Sequence, residues 1–404
     1  MVETLHPGSF GCSLEESKSI MSNNNAPLHY QRTARNLTVA CGLLFCVFSF
    51  LYLYVFQQDL LEAFHYSLAE GKTRFSPLGT ALWTTGILML VRWLVNRLLH
   101  LQGGVRELAY FPSCLLLGVF TSVGSAVYQG NAIETLWAWL LPLLLALFFG
   151  VAYVARKFWD AYFGRTFNEW WVVNSNLSIL LLLFVMTVSV GNTDIHFHHE
   201  LAVEASLKQG DFVKARQVGR KMMHPSRSLT ALRMYTLSKD EAMGEELFQF
   251  PQLYGAEGLL LDAESGNRFR LTADSLSVYL GNAPLPGEKA VDYFGRICRE
   301  ESGSHVALDY YLSALLLERR LEKFVAEFDA LYEAGDSIPR YYKEALFLHD
   351  KLHPSKTKKV ESEELEQKWK AYEERQLELA GTVGEGNYMR RKFGDTYWWY
   401  HQYR

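Results

Sequence analysis

The first half of this 404-residue chain has very little charge. Residues 1–190 hold 10 Asp and Glu and 11 Lys and Arg, whereas positions 191–404 hold 34 and 29. The whole-chain values, 21% charged residues and net charge −4, conceal that division. A chain so divided faces two environments, and its length suits two domains. Cysteine is scarce too, with 5 in the chain and Cys298 alone in the charged half, so no disulfide can form within that half. About 200 residues suffice for a core without one. The enzyme signatures G-x-S-x-G, H-E-x-x-H, G-x-G-x-x-G, Walker A and C-x-x-C are all missing. No cofactor and no nucleic-acid partner is expected, and the balance tips away from an enzyme.

What is present is a series of apolar runs. Five reach the roughly 20 helical residues that a bilayer core requires: 36–57, 78–99, 108–128, 136–155 and 171–190. They read as one transmembrane domain, 36–190, behind a polar, disordered tail, 1–35. Met21 opens a segment that would serve equally well as a start, so residues 1–20 read as either dispensable or a mis-assigned start. The tail is too long and too acidic for a cleaved signal peptide. Lys18, Arg32, Arg35, Arg97, Arg106, Arg156, Lys157 and Arg165 fall on one side of the runs, against Lys72 and Arg74 on the other. By the positive-inside rule the N-terminus is cytoplasmic, and everything after Gly191 lies across the membrane.

Polar residues within the runs are few. Apart from Arg97 at the helix end, Arg92 is the one full charge there, about two turns from the end of its helix, and the reading favours anchoring by snorkelling over a lined pathway. Asn174, Ser175, Asn176 and Ser178 form a patch suited to hydrogen bonds between helices, and Gly118 with Ser122 suits close helix approach. Pro142 is expected to kink its helix. The junction 191–199 gathers Asp194, His196, His198, His199 and Glu200. Imidazoles can bind zinc, but this spacing matches no standard pattern, so His196, His198 and His199 are weak metal candidates only.

Residues 200–380 read as helical pairs. Gly210-Asp211 makes a tight turn between helices bearing Leu201 and Ala205 on one side and Phe212, Ala215, Val218 and Met222 on the other. LKQGDFVKARQ resembles the middle of a tetratricopeptide repeat, with Ala215 at the close helix contact. Further pairs are expected at 226–237 with 239–248, 271–280 with 287–300, and 305–318 with 320–333, followed by helices 339–352 and 361–380. Phe324 and Phe328 lie on a continuous apolar stripe that neighbours must cover. Residues 249–270 read as a loop inserted into a concave face. The ending 381–404, with Trp398, Trp399 and Tyr400, reads as an aromatic strap in an apolar groove, in preference to a patch lying on the membrane.

Several soft motifs follow one another in 200–404: GDFVKA, ELFQFPQLYGAEGLLL, VYLGN, IPRYYKEALFL and FGDTYWWYHQYR. In that order they resemble an uncharacterised family of multi-pass inner-membrane proteins of Bacteroidota-type bacteria with a C-terminal tetratricopeptide-like domain. The resemblance implies a location and a repeat fold, and carries no activity. The expected architecture is therefore all-α, a five-helix transmembrane bundle followed by a tetratricopeptide-like solenoid. The expected function is a membrane-anchored scaffold that meets lipid through its bundle and binds a protein or peptide partner through its periplasmic domain. The alternative is a membrane enzyme or transport component acting on an envelope glycan or lipid, with Asp59, Glu62, His65 and Glu70 of the first loop as its acidic and basic groups.

Overall fold

The computed structural model of the chain describes residues 28–69, 72–124, 135–162, 169–261, 271, 273–300, 305–332, 337–354 and 360–404. The chain folds as two compact units, Met1–Thr193 and Asp194–Arg404. Both are helical, and the described residues contain no strand.

In the first unit, α1 (Leu28–Leu51) continues through a π turn (Tyr52–Phe56) to the short helix α2 (Gln58–Ala69). The expected disordered tail thus ends at least eight residues early. Residues 28–35 are helical because His29 and Thr33 bond to Glu169; residues 1–27 lie outside the described ones. Helix α3 (Pro77–Leu99) starts where Ser76 accepts from the Gly79 N–H and Pro77 occupies the first turn, and it stops at His100 in the left-handed region. A 3-10 segment (Gly103–Tyr110) leads into α4 (Phe111–Thr121), and α5 (Thr135–Tyr162) and α6 (Glu169–Val190) complete the unit.

Among the described residues four helices are long and apolar enough to cross a membrane: His29–Phe56, Pro77–Leu99, Leu136–Val154 and Glu169–Val190. Their outer faces carry bare apolar side chains, Trp83, Trp139 and Leu181 among them at 77%, 84% and 65% exposure, which suggests a membrane protein. The third expected run, 108–128, departs from the expectation of a fifth long helix. Its α-helical part has 11 residues, about 16 Å, against a hydrocarbon core of roughly 30 Å. Pro112 sets its start, since it donates no hydrogen bond to the turn before it and sits at the first turn of α4, and the helix ends at Ser122, whose N–H and hydroxyl both donate to the Val119 carbonyl. The 3-10 segment and α4 run alongside α6 in its own direction. Ser175 Oγ donates to the Gly104 carbonyl at one end, and the Asn192 N–H donates to the Thr121 carbonyl at the other. Almost all of α4 is buried, with Cys114, Leu115 and Leu117 in the core beside Phe45, Leu88 and Leu180. Gly118 allows this, since a Cβ there would stand 3.1 Å from the Val190 side chain.

The second unit begins with α7 (Ile195–Gln209) and α8 (Phe212–Gln217), separated by Gly210 at φ 74° and by Asp211, whose carboxylate accepts from the Lys214 N–H. Helix α8 stops five residues short of the expected Met222. The Arg233 guanidinium donates to the carbonyls of Val218 and Gly219 and so takes up the acceptors a longer helix would use. Next come α9 (Arg227–Lys239), the single turn α10 (Met243–Glu246), two 3-10 turns (Leu247–Gln249 and Gly255–Leu259), α11 (Ala273–Leu280) and α12 (Ala290–Ile297). They are followed by α13 (His305–Leu317), α14 (Leu321–Leu331), α15 (Arg340–Leu352), α16 (Glu363–Leu379), α17 (Glu385–Phe393) and α18 (Tyr397–Tyr403).

Helix α13 is the axis of this unit. Every residue from Tyr310 to Leu316 is 0% exposed, as a stretch apolar on nearly every side, Ser313 apart, requires. It is covered by α12 and α14, its neighbours in sequence, and also by α9, α10 and the Gly255–Leu259 turn from much earlier. Helix α10 also packs on α15, where Gly244 lies so close that a Cβ would stand 2.6 Å from Pro339. A simple solenoid brings together only successive hairpins, whereas this core closes across the sequence. The segment read as an inserted loop contributes to it, with Phe250, Ala256 and Leu259 buried; residues 262–270 lie outside the described ones.

Candidate functional site

The chemistry of the first unit is concentrated where the 3-10 segment folds back against α3 and α6. Asn176 Oδ1 accepts from the Glu107 N–H at 3.1 Å, and Asn176 Nδ2 donates to the Gly103 carbonyl at 2.9 Å. These bonds aim the Glu107 carboxylate at Arg92 Nη2, 3.5 Å away. The Arg92 guanidinium also lies 4.8 Å from the centre of the Tyr110 ring. Arg92 is thus turned inward with its side chain 12% exposed, and does not snorkel out. The expectation failed because the partner carboxylate lay outside the runs in the sequence, and only the fold returns it. Of the expected polar patch, Ser175 and Asn176 serve this site, whereas Asn174 and Ser178 are exposed.

The site carries two arginines, Arg92 and Arg106, and one carboxylate. Arg92 Nε, Arg106 Nε, Glu107 Oε1, Tyr110 Oη and Asn96 Oδ1 are buried without a hydrogen-bond partner among the described residues. Buried polar atoms are normally satisfied, so five in one neighbourhood mark a place with capacity for a further polar group. The excess charge there is positive.

In the second unit, α7 carries His196, His198 and His199 in its first turns. His199 Nδ1 faces Gly219, where a Cβ would stand 2.9 Å from it. Burial, together with Arg233 nearby, lowers the His199 pKa and favours the neutral ring. Among the described residues no group of three His, Cys, Asp or Glu could hold a metal ion. Ala215 is fully buried beside the Gly210 turn, and Phe324 and Phe328 pack 5.6 and 6.2 Å from the Tyr342 ring.

The C-terminal aromatics lie inside the unit. Trp398 is 1% exposed and sits against Phe347 and Trp369, while the Phe248 ring meets Tyr341, Tyr397 and Tyr400 at 5.0, 5.4 and 4.8 Å. Glu344, buried on α15, holds α18 in place by accepting from the Tyr397 N–H and from Arg340 Nε, both at 2.8 Å. Arg340 also reaches the Asp395 carbonyl and carboxylate. Burial pushes the Glu344 carboxyl up to about 7, against the opposing pull of Arg340. Where α17 and α18 meet the segment 248–252, a groove of about 160 Å³ remains, lined by Phe250, Pro251, Trp399, Arg390 and Arg404. Sequence reasoning found Trp399 and missed the groove, because the other wall, Phe250 and Pro251, lies before α11 in the chain.

Residues 287–404 match the model of a family of unknown function (DUF6057). The match takes in α12 to α18 and one wall of the groove, and leaves the membrane unit outside it. No curated protein and no solved structure matches the chain.

Proposed function

We propose that the protein is a membrane-anchored scaffold whose C-terminal helical unit binds a protein or peptide partner. The groove between the segment 248–252 and the C-terminal helices is the observation that carries this reading. It joins apolar surface to two cations, Arg390 and Arg404. That combination suits a short segment with an aliphatic or aromatic anchor and an acidic neighbour. The tetratricopeptide-like resemblance is consistent with the first helical pair, where Gly210 and Ala215 occupy the turn and the close contact.

The location we propose is a bacterial inner membrane, with the N-terminus cytoplasmic and the C-terminal unit periplasmic. Support comes from the direction of the helices. His29 at the start of α1 meets Glu169 at the start of α6. Gln57, beyond the far end of α1, donates to the Asn192 carbonyl. The chain therefore leaves the first unit at the end opposite to His29, and the described arginines Arg32, Arg35, Arg97 and Arg106 lie on the His29 side. The test is mass spectrometry of what copurifies with the tagged full-length protein in mild detergent, beside an Arg390→Glu/Arg404→Glu variant. A protein recovered with the wild type and lost with the variant supports the scaffold. An unchanged set of partners, or no protein partner at all, overturns it.

The buried Arg92, Arg106 and Glu107 group favours a second reading, a transport component or membrane enzyme acting on an envelope lipid or glycan, since ionisable groups within a membrane unit commonly serve substrates. In that reading Glu107→Gln abolishes function and leaves the partners unchanged.

A further inference from the structure

The first unit contains a cavity of about 280 Å³ near the start of α1, lined by Tyr30, Arg35, Thr38 and Val39 and by Arg106 of the 3-10 segment. Two arginines therefore share one cavity. The carboxylate nearest to Arg106 in sequence, Glu107, is aimed at Arg92. Among the described side chains at this end, the Glu169 carboxylate accepts from His29 at 2.6 Å and from Thr33 at 3.1 Å. The cavity thus has cationic walls whose charge is only partly offset, and the buried Nε of Arg106 has no hydrogen-bond partner among the described residues. Guanidinium forks match the oxygens of a phosphate in geometry as well as charge.

Depth and surface indicate where that phosphate comes from. Glu107 bonds to Asn176, seven residues into α6, so Arg106 lies about 10 Å inside the start of that helix. Arg35 lies two residues beyond Thr33, close to the Glu169 level. With the bilayer surface set at the start of the candidate span Glu169–Val190, the pair straddles the headgroup layer, about 5–8 Å deep, and the edge of the hydrocarbon. Arg35 is followed on the same face of α1 by Val39, Leu43 and Val47, at four-residue spacing and 58%, 63% and 56% exposed. Free phosphate has no use for such a strip, whereas an acyl chain does.

We propose that this cavity binds the phosphate of an anionic phospholipid between Arg35 and Arg106, with an acyl chain along Val39, Leu43 and Val47. Basic recesses between membrane helices on the cytoplasmic side suit such headgroups. The site is independent of the partner groove.

The experiment is native mass spectrometry of the full-length protein released from detergent after equal exposure to phosphatidylglycerol and phosphatidylcholine. Wild type is expected to retain phosphatidylglycerol at least about fivefold more than phosphatidylcholine, which corresponds to about 1 kcal/mol. Arg35→Gln and Arg106→Gln each remove that preference. Arg97→Gln keeps it, because Arg97 stacks on Trp93 and does not line the cavity. Arg35 is exposed, so its variant keeps the test decisive even where Arg106→Gln unsettles the 3-10 segment. Equal retention of the two lipids, or an undiminished preference in Arg35→Gln, overturns the proposal. A further arm adds inorganic phosphate: displacement of the lipid at millimolar concentration shows a site for phosphate alone and overturns the lipid assignment.

Discussion

Gly191 offers the sharpest test of how the buried third segment is held. It follows α6, and a Cβ built on it would stand 2.0 Å from the Tyr52 hydroxyl and 2.8 Å from Thr121 Oγ1. The third nearest atom, the Thr187 carbonyl oxygen, is at 3.3 Å, so the Tyr52 ring carbons are no closer than that. Gly191→Ala therefore collides with the hydroxyl and spares the ring. To regain ordinary contact at 3.4 Å the hydroxyl must move by well over an ångström. That breaks its bonds to Thr121 at 3.0 Å and Gln57 at 3.2 Å. Overpacking costs about 1–3 kcal/mol and each of the two lost hydrogen bonds about 0.5–1.5 kcal/mol, so the substitution is expected to cost about 2–6 kcal/mol. Tyr52→Phe alone loses the same two bonds, at about 1–3 kcal/mol, with no added desolvation cost because Thr121 retains the Leu117 carbonyl and Gln57 that of Asn192. In the double variant only Thr121 Oγ1, at 2.8 Å, must still give way, so the alanine's added cost falls to the low end of the overpacking range, about 1 kcal/mol. The assay is the unfolding midpoint in detergent, followed by tryptophan fluorescence, at about 2–4 °C per kcal/mol. Gly191→Ala is expected to unfold about 4–24 °C below wild type, and the double variant within about 4 °C of Tyr52→Phe. Costs that simply add, with no coupling between the positions, refute the packing described here.

Three further outcomes follow from the second unit. Trp398→Ala removes a ring that is 1% exposed and is expected to cost about 3–5 kcal/mol, read as a lower midpoint with early proteolysis of residues 385–404. Arg233→Met strips the Val218 and Gly219 carbonyls of their donor, at about 2–4 kcal/mol, and hydrogen exchange should rise first around residues 214–222. Glu344 carries the pH dependence. Its folded pKa is about 7 against an ordinary value of 4.5, so the folded state binds the extra proton between those values. Its contribution is therefore most favourable below about 4.5 and is lost as pH rises through 7, by about 3 kcal/mol in all. Glu344→Gln should flatten that slope between pH 5 and 8 in chemical unfolding, and an unchanged slope would show that another group is responsible.

The sequence by itself determined what depends on local pattern. Charge density divided the chain near Gly191, and the fold divides between Thr193 and Asp194. Apolar length marked out the four long helices, and helical periodicity with Gly210-Asp211 placed the first turn of the second unit. These features are legible because bilayer thickness and helical pitch act on neighbouring residues. Pro112, which sets the start of α4, was legible too. What only the tertiary structure decided were the pairings between distant residues. Arg92 was read as an anchor because Glu107 becomes its partner only after the 3-10 segment folds back onto Asn176. Arg233 ends α8 from another helix, and Glu344 holds α18 from α15, with two helices between them in the chain. Each of those bonds joins groups that no local period relates. The groove at Trp399 and the cavity at Arg106 belong to the same class, since a concave site is made by the separation of two surfaces and neither surface records it alone.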